Sequence, residues 1–215
     1  MKRIAFFGGT FDPVHNGHLN IARTLVDFFS LDRFYFLPAF HAPHKADRKP
    51  TSAYHRFAML SIAAENDPSI LVSTHELDRG EPRYTVDTIP ELTSEFPDTS
   101  LFFVMGADSW SDIRTWRRWE ELLLMTNHLV VARPGFDIST EHVTDKVRER
   151  INDVRGMSAE AFGEQGEPAI YITDAVHFDT SSTILREDLS DGELERDDDI
   201  PQEVANYIEK YELYR

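Results

Sequence analysis

The sequence contains no cysteine. This absence excludes disulfide bonds, thiolate nucleophiles and cysteine-ligated metal sites, although it does not fix the compartment. Long apolar runs are also missing, and no stretch approaches the roughly 18 residues that a membrane-spanning helix needs. The apolar run within residues 1–9 is too brief for a signal peptide. We therefore expect a buried first strand in a cytoplasmic protein that does not bind membranes.

Basic residues are scarce. The chain has 22 lysines and arginines against 38 aspartates and glutamates, which gives a formal net charge of −16. Such a chain repels polyanions, so we expect no nucleic-acid partner. A mononucleotide is still an acceptable ligand, because helix N-termini and a few basic side chains can hold a small anion. Residues 187–199 are mostly carboxylates and favour a solvated surface loop over an interaction segment.

Short apolar runs alternate with helical patterns along the chain. The runs that predict buried strands are residues 4–7, 34–37, 70–73, 101–105, 129–132 and 170–172. The patterns that predict helices are residues 19–29, 54–62, 86–96, 110–125, 141–152 and 202–211. This alternation predicts an α/β fold, a Rossmann-like parallel sheet flanked by helices. We expect one domain over residues 1–215, with the acidic loop and C-terminal helix of residues 187–215 packed on it.

A motif follows the first strand: Gly8-Gly9-Thr10-Phe11-Asp12-Pro13-Val14-His15-Asn16-Gly17-His18. In open α/β sheets, ligands bind beyond the carboxyl ends of the strands. Paired glycines let the backbone approach a bound group, and the N-terminus of the next helix suits phosphate. The motif matches neither the dinucleotide-binding nor the Walker glycine pattern, which disfavours a nicotinamide dehydrogenase and a Walker-type ATPase.

His15 and His18 are three residues apart and share one face of a helix. There they can donate hydrogen bonds to phosphoryl oxygens as charge builds up in a displacement transition state. Two alternatives are a pair of histidines satisfied by solvent and a zinc pair, which needs a further ligand that the spacing does not supply. The preceding Gly-Gly-Thr-Phe-Asp-Pro segment favours the phosphate contact.

This string resembles the signature of the nucleotidylyltransferase superfamily, in which a His-x-Gly-His motif binds the phosphates of ATP. The resemblance implies an ATP-binding set of Gly8, Gly9, Thr10, Phe11, His15 and His18. The superfamily includes nicotinate- and nicotinamide-nucleotide adenylyltransferases, pantetheine-phosphate adenylyltransferases and glycerol-type cytidylyltransferases. The motif therefore indicates the superfamily without selecting the acceptor substrate.

Further stretches are similar to the bacterial nicotinate-nucleotide adenylyltransferase family. Ala42-Pro43-His44-Lys45 resembles a Pro-His-Lys loop, which implies that His44 and Lys45 steady a substrate phosphate. Tyr84-Thr85-Val86-Asp87-Thr88 resembles a Tyr-Thr-x-Asp-Thr segment, which implies that Thr85 takes the carboxylate of nicotinate. Without the resemblance, Thr85 is a helix cap.

Two more positions complete the acceptor site that the resemblance implies. Asp108 follows the fourth predicted strand and is expected to accept hydrogen bonds from ribose hydroxyls. Trp116 resembles the tryptophan that stacks on the pyridine ring, and a flat indole suits such a ring. Spacing alone, with Trp110 and Trp119 close by, favours a core position for Trp116.

A second signature follows the last predicted strand. Residues 179–186 resemble the superfamily's Ile-Ser-Ser-Thr-x-x-Arg segment, with Thr180 in place of isoleucine. Hydroxyl groups at a helix start and an arginine one turn later form a second anion cradle. Ser182, Thr183 and Arg186 are therefore expected to hold the β- and γ-phosphates of ATP.

Together these resemblances imply an adenylyltransferase of NAD biosynthesis that joins ATP and nicotinate mononucleotide. His18, His15 and Arg186 are the expected catalytic residues, and Mg²⁺ is expected to arrive with ATP without protein metal ligands. Nicotinamide mononucleotide and pantetheine phosphate are alternative acceptors. A catalytically idle nucleotide-binding regulatory protein is the alternative from a different class, and a homo-oligomer is possible. The assignment requires His18 and Arg186 to meet in one cleft.

Overall fold

A computed structural model describes residues 1–41, 50–132, 138–157, 167–176, 182–190 and 199–214 of the chain. The described strands form one seven-stranded sheet in which every paired neighbour is parallel. The strands are β1 (Lys2–Gly9), β2 (Arg33–Pro38), β3 (Ile70–Val72), β4 (Thr99–Gly106), β5 (Asn127–Val131), β6 (Ile151–Asp153) and β7 (Ile170–Thr173). Their order across the sheet is β3-β2-β1-β4-β5-β7-β6.

Helices connect the strands. They are α1 (Asn16–Phe28), α2 (Ala53–Ala63), α3 (His75–Arg79), α4 (Thr85–Glu95), α5 (Ala107–Ser111), α6 (Trp119–Met125), α7 (Asp145–Arg148), α8 (Ser182–Ser190) and α9 (Gln202–Lys210), with a 3-10 turn over Ile113–Thr115. Among the described residues, no helix is long and apolar enough to cross a membrane.

The core lies on both faces of the sheet, because successive strand residues point to opposite sides. Ala5 and Phe7 of β1 face a cluster that includes apolar residues of α1, α2, α8 and α9. Ile4 and Phe6 face a second cluster, built with α4, α5, α6 and α7. Covering on both faces explains why the central strands are nearly continuous apolar runs.

The topology places a crevice beside β1. The chain runs from β1 to β2 and β3 on one side, then returns to place β4 on the other side of β1. This reversal of strand order leaves an opening at the carboxyl ends of β1 and β4, where α/β sheets bind ligands. The predicted Rossmann-like fold class is confirmed.

Two predicted helices are wrong in part. The helix expected over residues 110–125 is broken into α5, a 3-10 turn and α6, and the break contains Arg118 in a left-handed conformation with φ 51°. The helix expected over residues 141–152 is helical only at α7, because Ile151 and its neighbours pair with β7 as the edge strand β6. Backbone pairing at the sheet edge prevails there over helical spacing.

The loop predicted over the acidic residues 187–199 is also wrong in part. Residues 187–190 belong to helix α8 rather than to a loop, and residues 191–198 lie outside the described residues. Helix α3 and strand β6 have no counterpart in the predicted elements.

Candidate active site

The loop after β1 is shaped by close contacts at its two glycines. A Cβ atom on Gly8 would lie 2.8 Å from the ring of Phe103, and one on Gly9 would lie 2.7 Å from the ring of Phe11. Phe11 itself has a left-handed backbone, with φ 51°, and its side chain is buried. Its ring meets His18 edge-on at a centroid distance of 5.0 Å. The side chain of Phe11 therefore belongs to the core, and a ligand at this loop would meet its backbone instead.

His15 and His18 lie at the start of α1. The two imidazole rings have centroids 3.7 Å apart and are tilted by 30°. The backbone N–H of His15 donates to Nδ1 of His18 at 3.3 Å. Because Nδ1 accepts this bond, the neutral imidazole of His18 carries its proton on Nε2. The half-buried ring is thus fixed as a hydrogen-bond donor through Nε2.

Arg56 is hydrogen-bonded to the loop after β1 and to neighbouring segments. Its fully buried guanidinium donates to the carbonyl oxygens of Thr10, Ala39, Phe40 and Thr51, which joins the ends of β1 and β2 to the start of α2. Burial lowers the pKa of Arg56, and the nearby Asp12 carboxylate opposes this effect. No sequence pattern indicated Arg56, since a single arginine in a helical stretch is normally a surface residue.

Asp12 connects the same loop to distant parts of the chain. Its carboxylate accepts hydrogen bonds from the Tyr214 hydroxyl at 2.7 Å and from the Thr51 N–H at 3.2 Å. Asp12 stands in the sequence motif, which indicates no role for its side chain. No sequence pattern indicates Tyr214, because it lies 202 positions from Asp12 along the chain.

The second signature meets the first at this loop. Arg186 Nη1 donates to the Asp12 carbonyl oxygen at 2.7 Å, and Ser182 Oγ donates to the Pro13 carbonyl oxygen at 3.1 Å. Arg186 Nη2 also donates to Thr183 Oγ1 at 3.2 Å. The Nε atom of Arg186 is buried and faces no acceptor within the described part of the chain. The two predicted anion-binding segments therefore meet at one loop.

Thr85 and Trp116, two of the predicted acceptor residues, belong to segments that pack on the face of the sheet opposite α1. Half-buried Thr85 begins α4, and Tyr84 just before it lies under the guanidinium of Arg117, 4.9 Å from the ring centroid. Arg117 follows Trp116 in the chain, so the segment that contains Trp116 lies close to the start of α4. Exposed Asp108 lies in α5, directly beyond the carboxyl end of β4.

Trp116 is half-buried, and its ring meets Phe103 edge-on at 6.4 Å. Trp110, in contrast, is fully buried and donates from Nε1 to the Ser139 carbonyl oxygen at 2.8 Å. Trp110 therefore differs in burial from Trp116 and Trp119, which are both half-buried. His44 and Lys45 lie outside the described residues. Among those that are described, no group of three histidine, aspartate or glutamate side chains is arranged to hold a metal ion.

Comparisons with known proteins identify the family of the chain. The model of the cytidylyltransferase-like family matches residues 6–188. A nicotinate-nucleotide adenylyltransferase of Bacillus subtilis is 34% identical over 214 residues, covering 100% of this chain and 99% of the relative. The chain belongs to the nicotinate-nucleotide adenylyltransferase family, a family of nucleotidyltransferases. Another member, named "probable nicotinate-nucleotide adenylyltransferase" in Citrifermentans bemidjiense, is 35% identical over 223 residues, covering 99% of this chain and 98% of the relative.

A solved structure supports the architecture of this adenylyltransferase family. The Plasmodium falciparum nicotinic acid mononucleotide adenylyltransferase complexed with NaAD superposes with a TM-score of 0.74 at 20% identity, covering 100% of this chain and 98% of that one. At this identity the likeness shows the shared fold. The sequence-based resemblance to the family is thus confirmed, while the roles of individual residues stay predictions.

Proposed function

We propose that the chain transfers the adenylyl group of ATP to nicotinate mononucleotide, which yields nicotinate adenine dinucleotide and pyrophosphate. One observation carries the proposal within this family. Arg186 binds the backbone of the loop that leads into His15 and His18, although Arg186 and Asp12 are 174 positions apart. Two segments that carry cationic groups or hydrogen-bond donors therefore meet at one loop. This arrangement suits a triphosphate.

The reaction is a direct in-line displacement. A phosphate oxygen of the mononucleotide forms a bond to the α-phosphorus of ATP, and the bond from that phosphorus to the bridging oxygen breaks. Pyrophosphate leaves with the electron pair. The attacking group is already an anion, so no general base and no covalent enzyme intermediate are needed. Catalysis then consists of positioning and charge stabilisation.

We assign the central role to His18. Its Nε2–H donates to an oxygen on the α-phosphorus, where negative charge grows in the transition state. Thr10 and His15 orient the phosphates, and Arg186 with Ser182 and Thr183 holds the departing pyrophosphate. Mg²⁺ brought by ATP would offset negative charge on the phosphates, and no side chain of this protein is assigned to hold it.

On the acceptor side, the Trp116 indole stacks on the pyridine ring and Thr85 binds its carboxylate. Asp108 accepts hydrogen bonds from the ribose, while His44 and Lys45 steady the phosphate. Nicotinate carries a carboxylate where nicotinamide carries an amide. The N–H groups at the start of α4 favour the acid, because a helix N-terminus attracts negative charge.

A substrate panel tests the proposal. Pyrophosphate release is measured with ATP and nicotinate mononucleotide, nicotinamide mononucleotide or pantetheine phosphate. We expect the highest kcat/KM with nicotinate mononucleotide. His18→Ala should lower kcat by about a hundredfold or more, since losing one such donor removes about 3 kcal/mol of transition-state stabilisation. Asn20→Ala, a half-exposed position on the same helix, should stay near wild type.

The other outcomes contradict the proposal in distinct ways. A higher efficiency with nicotinamide mononucleotide or pantetheine phosphate would assign a different acceptor. ATP binding without pyrophosphate release from any acceptor would indicate an idle nucleotide-binding protein. Near-normal turnover by His18→Ala would remove His18 from the mechanism.

A further inference from the structure

Asp12 is bonded through both its side chain and its backbone. Its buried carboxylate accepts from the Tyr214 hydroxyl at 2.7 Å and the Thr51 N–H at 3.2 Å. Its carbonyl oxygen accepts from Arg186 Nη1 at 2.7 Å. One residue thus links the segment after α9 to the arginine that the proposed mechanism assigns to the phosphates.

We propose that Tyr214 is a positioning residue for ATP: its hydroxyl fixes Asp12, and Asp12 fixes both the loop before His15 and the head group of Arg186. Tyr214 touches no substrate in this role. It acts through the orientation of groups that do. The inference rests on the proposed function for its kinetic readout, although its binding readout is independent of the acceptor.

Backbone conformation supports this assignment at both ends of the bond. Phe11, next to Asp12, has φ 51°, and Tyr214 has φ 66°. Bulky residues rarely occupy this left-handed region, and they persist there when surrounding contacts hold them. Glu212 has φ 52° as well, so the chain turns sharply just before Tyr214. This turn directs the tyrosine side chain back toward the loop.

The segment around Tyr214 is itself anchored. The Leu213 N–H donates to the Ile208 carbonyl oxygen at 3.1 Å, which ties the turn to α9. Tyr207 of α9 is hydrogen-bonded to His55 of α2 at 2.9 Å. On the other side of α9, the Asp199 carbonyl oxygen accepts from the Asn16 N–H at 2.8 Å, in the first turn of α1. Hydrogen bonds therefore tie the residues on both sides of α9 to the proposed phosphate site: Asp199 is bonded to the start of α1, and Tyr214 is bonded to Asp12.

The tyrosine is also suited to remain a donor. Burial raises the pKa of Tyr214 well above its usual range, and the negative charge of Asp12 raises it further. The phenol is accordingly protonated, and able to donate, at neutral pH. A hydrogen bond from a neutral hydroxyl to a carboxylate is among the stronger kinds in proteins.

Tyr214→Phe tests the inference, because it removes the hydroxyl and retains the ring. We expect the KM for ATP to rise about tenfold, the effect of losing one charge-assisted hydrogen bond. The KM for the mononucleotide should change less than twofold, since Thr85 and Trp116 belong to segments on the face of the sheet opposite α1. Tyr211→Phe is the matched control: Tyr211 is 48% exposed, and both KM values should stay near wild type in this variant.

Binding of a non-hydrolysable ATP analogue, measured by calorimetry without any mononucleotide, separates this inference from the proposed function. A tenfold weaker affinity in Tyr214→Phe supports the positioning role even if the acceptor proves to be another compound. Equal increases in both KM values, or unchanged analogue affinity with only a lower unfolding temperature, would overturn it.

A double-mutant cycle with Asp12→Asn gives a second measure. If Tyr214 acts through Asp12, the two changes together should weaken analogue binding no more than the larger single change does. Additive losses would mean that Tyr214 acts independently of Asp12. If Asp12→Asn fails to fold, the comparison of Tyr214→Phe with Tyr211→Phe still decides.

Discussion

At the scale of a single residue, the side chain of Phe103 contacts both the loop after β1 and Trp116. Its ring fills the space that a Cβ atom on Gly8 would need, and it meets Trp116 edge-on. The same ring therefore touches both the end of β1 and the indole. A glycine of the predicted phosphate loop and a tryptophan of the predicted acceptor site are in this way in contact with one aromatic residue.

Trp116→Ala should separate stacking from packing. A base that stacks on an aromatic side chain gains about 1–3 kcal/mol. We therefore expect the KM for nicotinate mononucleotide to rise about tenfold or more, with the KM for ATP within twofold of wild type. Trp119→Ala is the control, because Trp119 is also half-buried against the same cluster. The two KM values are measured by steady-state kinetics. Equal increases in the KM for both substrates would show that Trp116 is a packing residue only.

At the scale of elements, α3 and α4 are joined beside the acceptor site. Thr88 of α4, one turn after Thr85, donates from its hydroxyl to the buried Glu76 carboxyl of α3 at 3.1 Å. Glu91 of α4 accepts from His75, Arg79 and Arg83. The start of α4 is thus held by polar contacts with the short helix that precedes it.

The buried carboxyl makes stability depend on pH. Burial raises the pKa of Glu76 from 4.5 to about 7, although the hydrogen bond from Thr88 opposes the shift. The unfolded chain then binds fewer protons than the folded one between these two values. Stability from protonated Glu76 is complete below about pH 4.5 and is lost as the pH rises through about 7.

Glu76→Gln should remove this dependence while retaining an oxygen for Thr88. Between about pH 5 and 8, wild type should lose up to about 3 kcal/mol of unfolding free energy relative to the variant. Urea denaturation across that range measures the difference. Glu65→Gln is the control variant in the same series, because it replaces a glutamate at an exposed position. A curve for Glu76→Gln that runs parallel to that of wild type would show that Glu76 is ionised in the fold.

At the scale of the molecule, Arg56 unites elements that enclose the site. Removing its guanidinium in Arg56→Met would leave four carbonyl oxygens, on Thr10, Ala39, Phe40 and Thr51, without this donor. We expect the free energy of unfolding to fall by about 3–5 kcal/mol, as when one partner of a buried polar network is lost.

Arg23→Met provides the comparison, since the Arg23 side chain is 53% exposed and pairs with Asp67 at the surface. Its loss should lower the unfolding free energy by about 1 kcal/mol or less. Urea denaturation at one pH compares the two. Similar small losses for both arginines would show that Arg56 contributes little to the fold.

The sequence predicts those parts of the molecule that depend on local pattern. Buried apolar runs locate β1, β2, β4 and β7, because a strand covered on both faces needs apolar residues at every position. Local pattern fails at β6, where pairing with β7 decides. It fails again between α5 and α6, where the chain leaves helical geometry at Arg118.

The candidate site shows the same division. His15, His18, Ser182 and Arg186 stand in contiguous motifs that resemble a known family, and the structure brings them to one loop. Arg56 and Tyr214 support that loop from remote positions, and neither has neighbours in sequence that mark it. Long-range hydrogen bonds of this kind follow from the tertiary fold and have no local signature.

The distance between Asp12 and Tyr214 has a consequence during synthesis. Their 202-position separation corresponds to about 10–40 s on a ribosome that adds about 5–20 residues per second. The central strand emerges early, yet the carboxylate beyond it can meet its phenol only after Tyr214 has been synthesised. On the role proposed for Tyr214, a nascent polypeptide that stops before this residue would bind ATP about tenfold more weakly than the full chain.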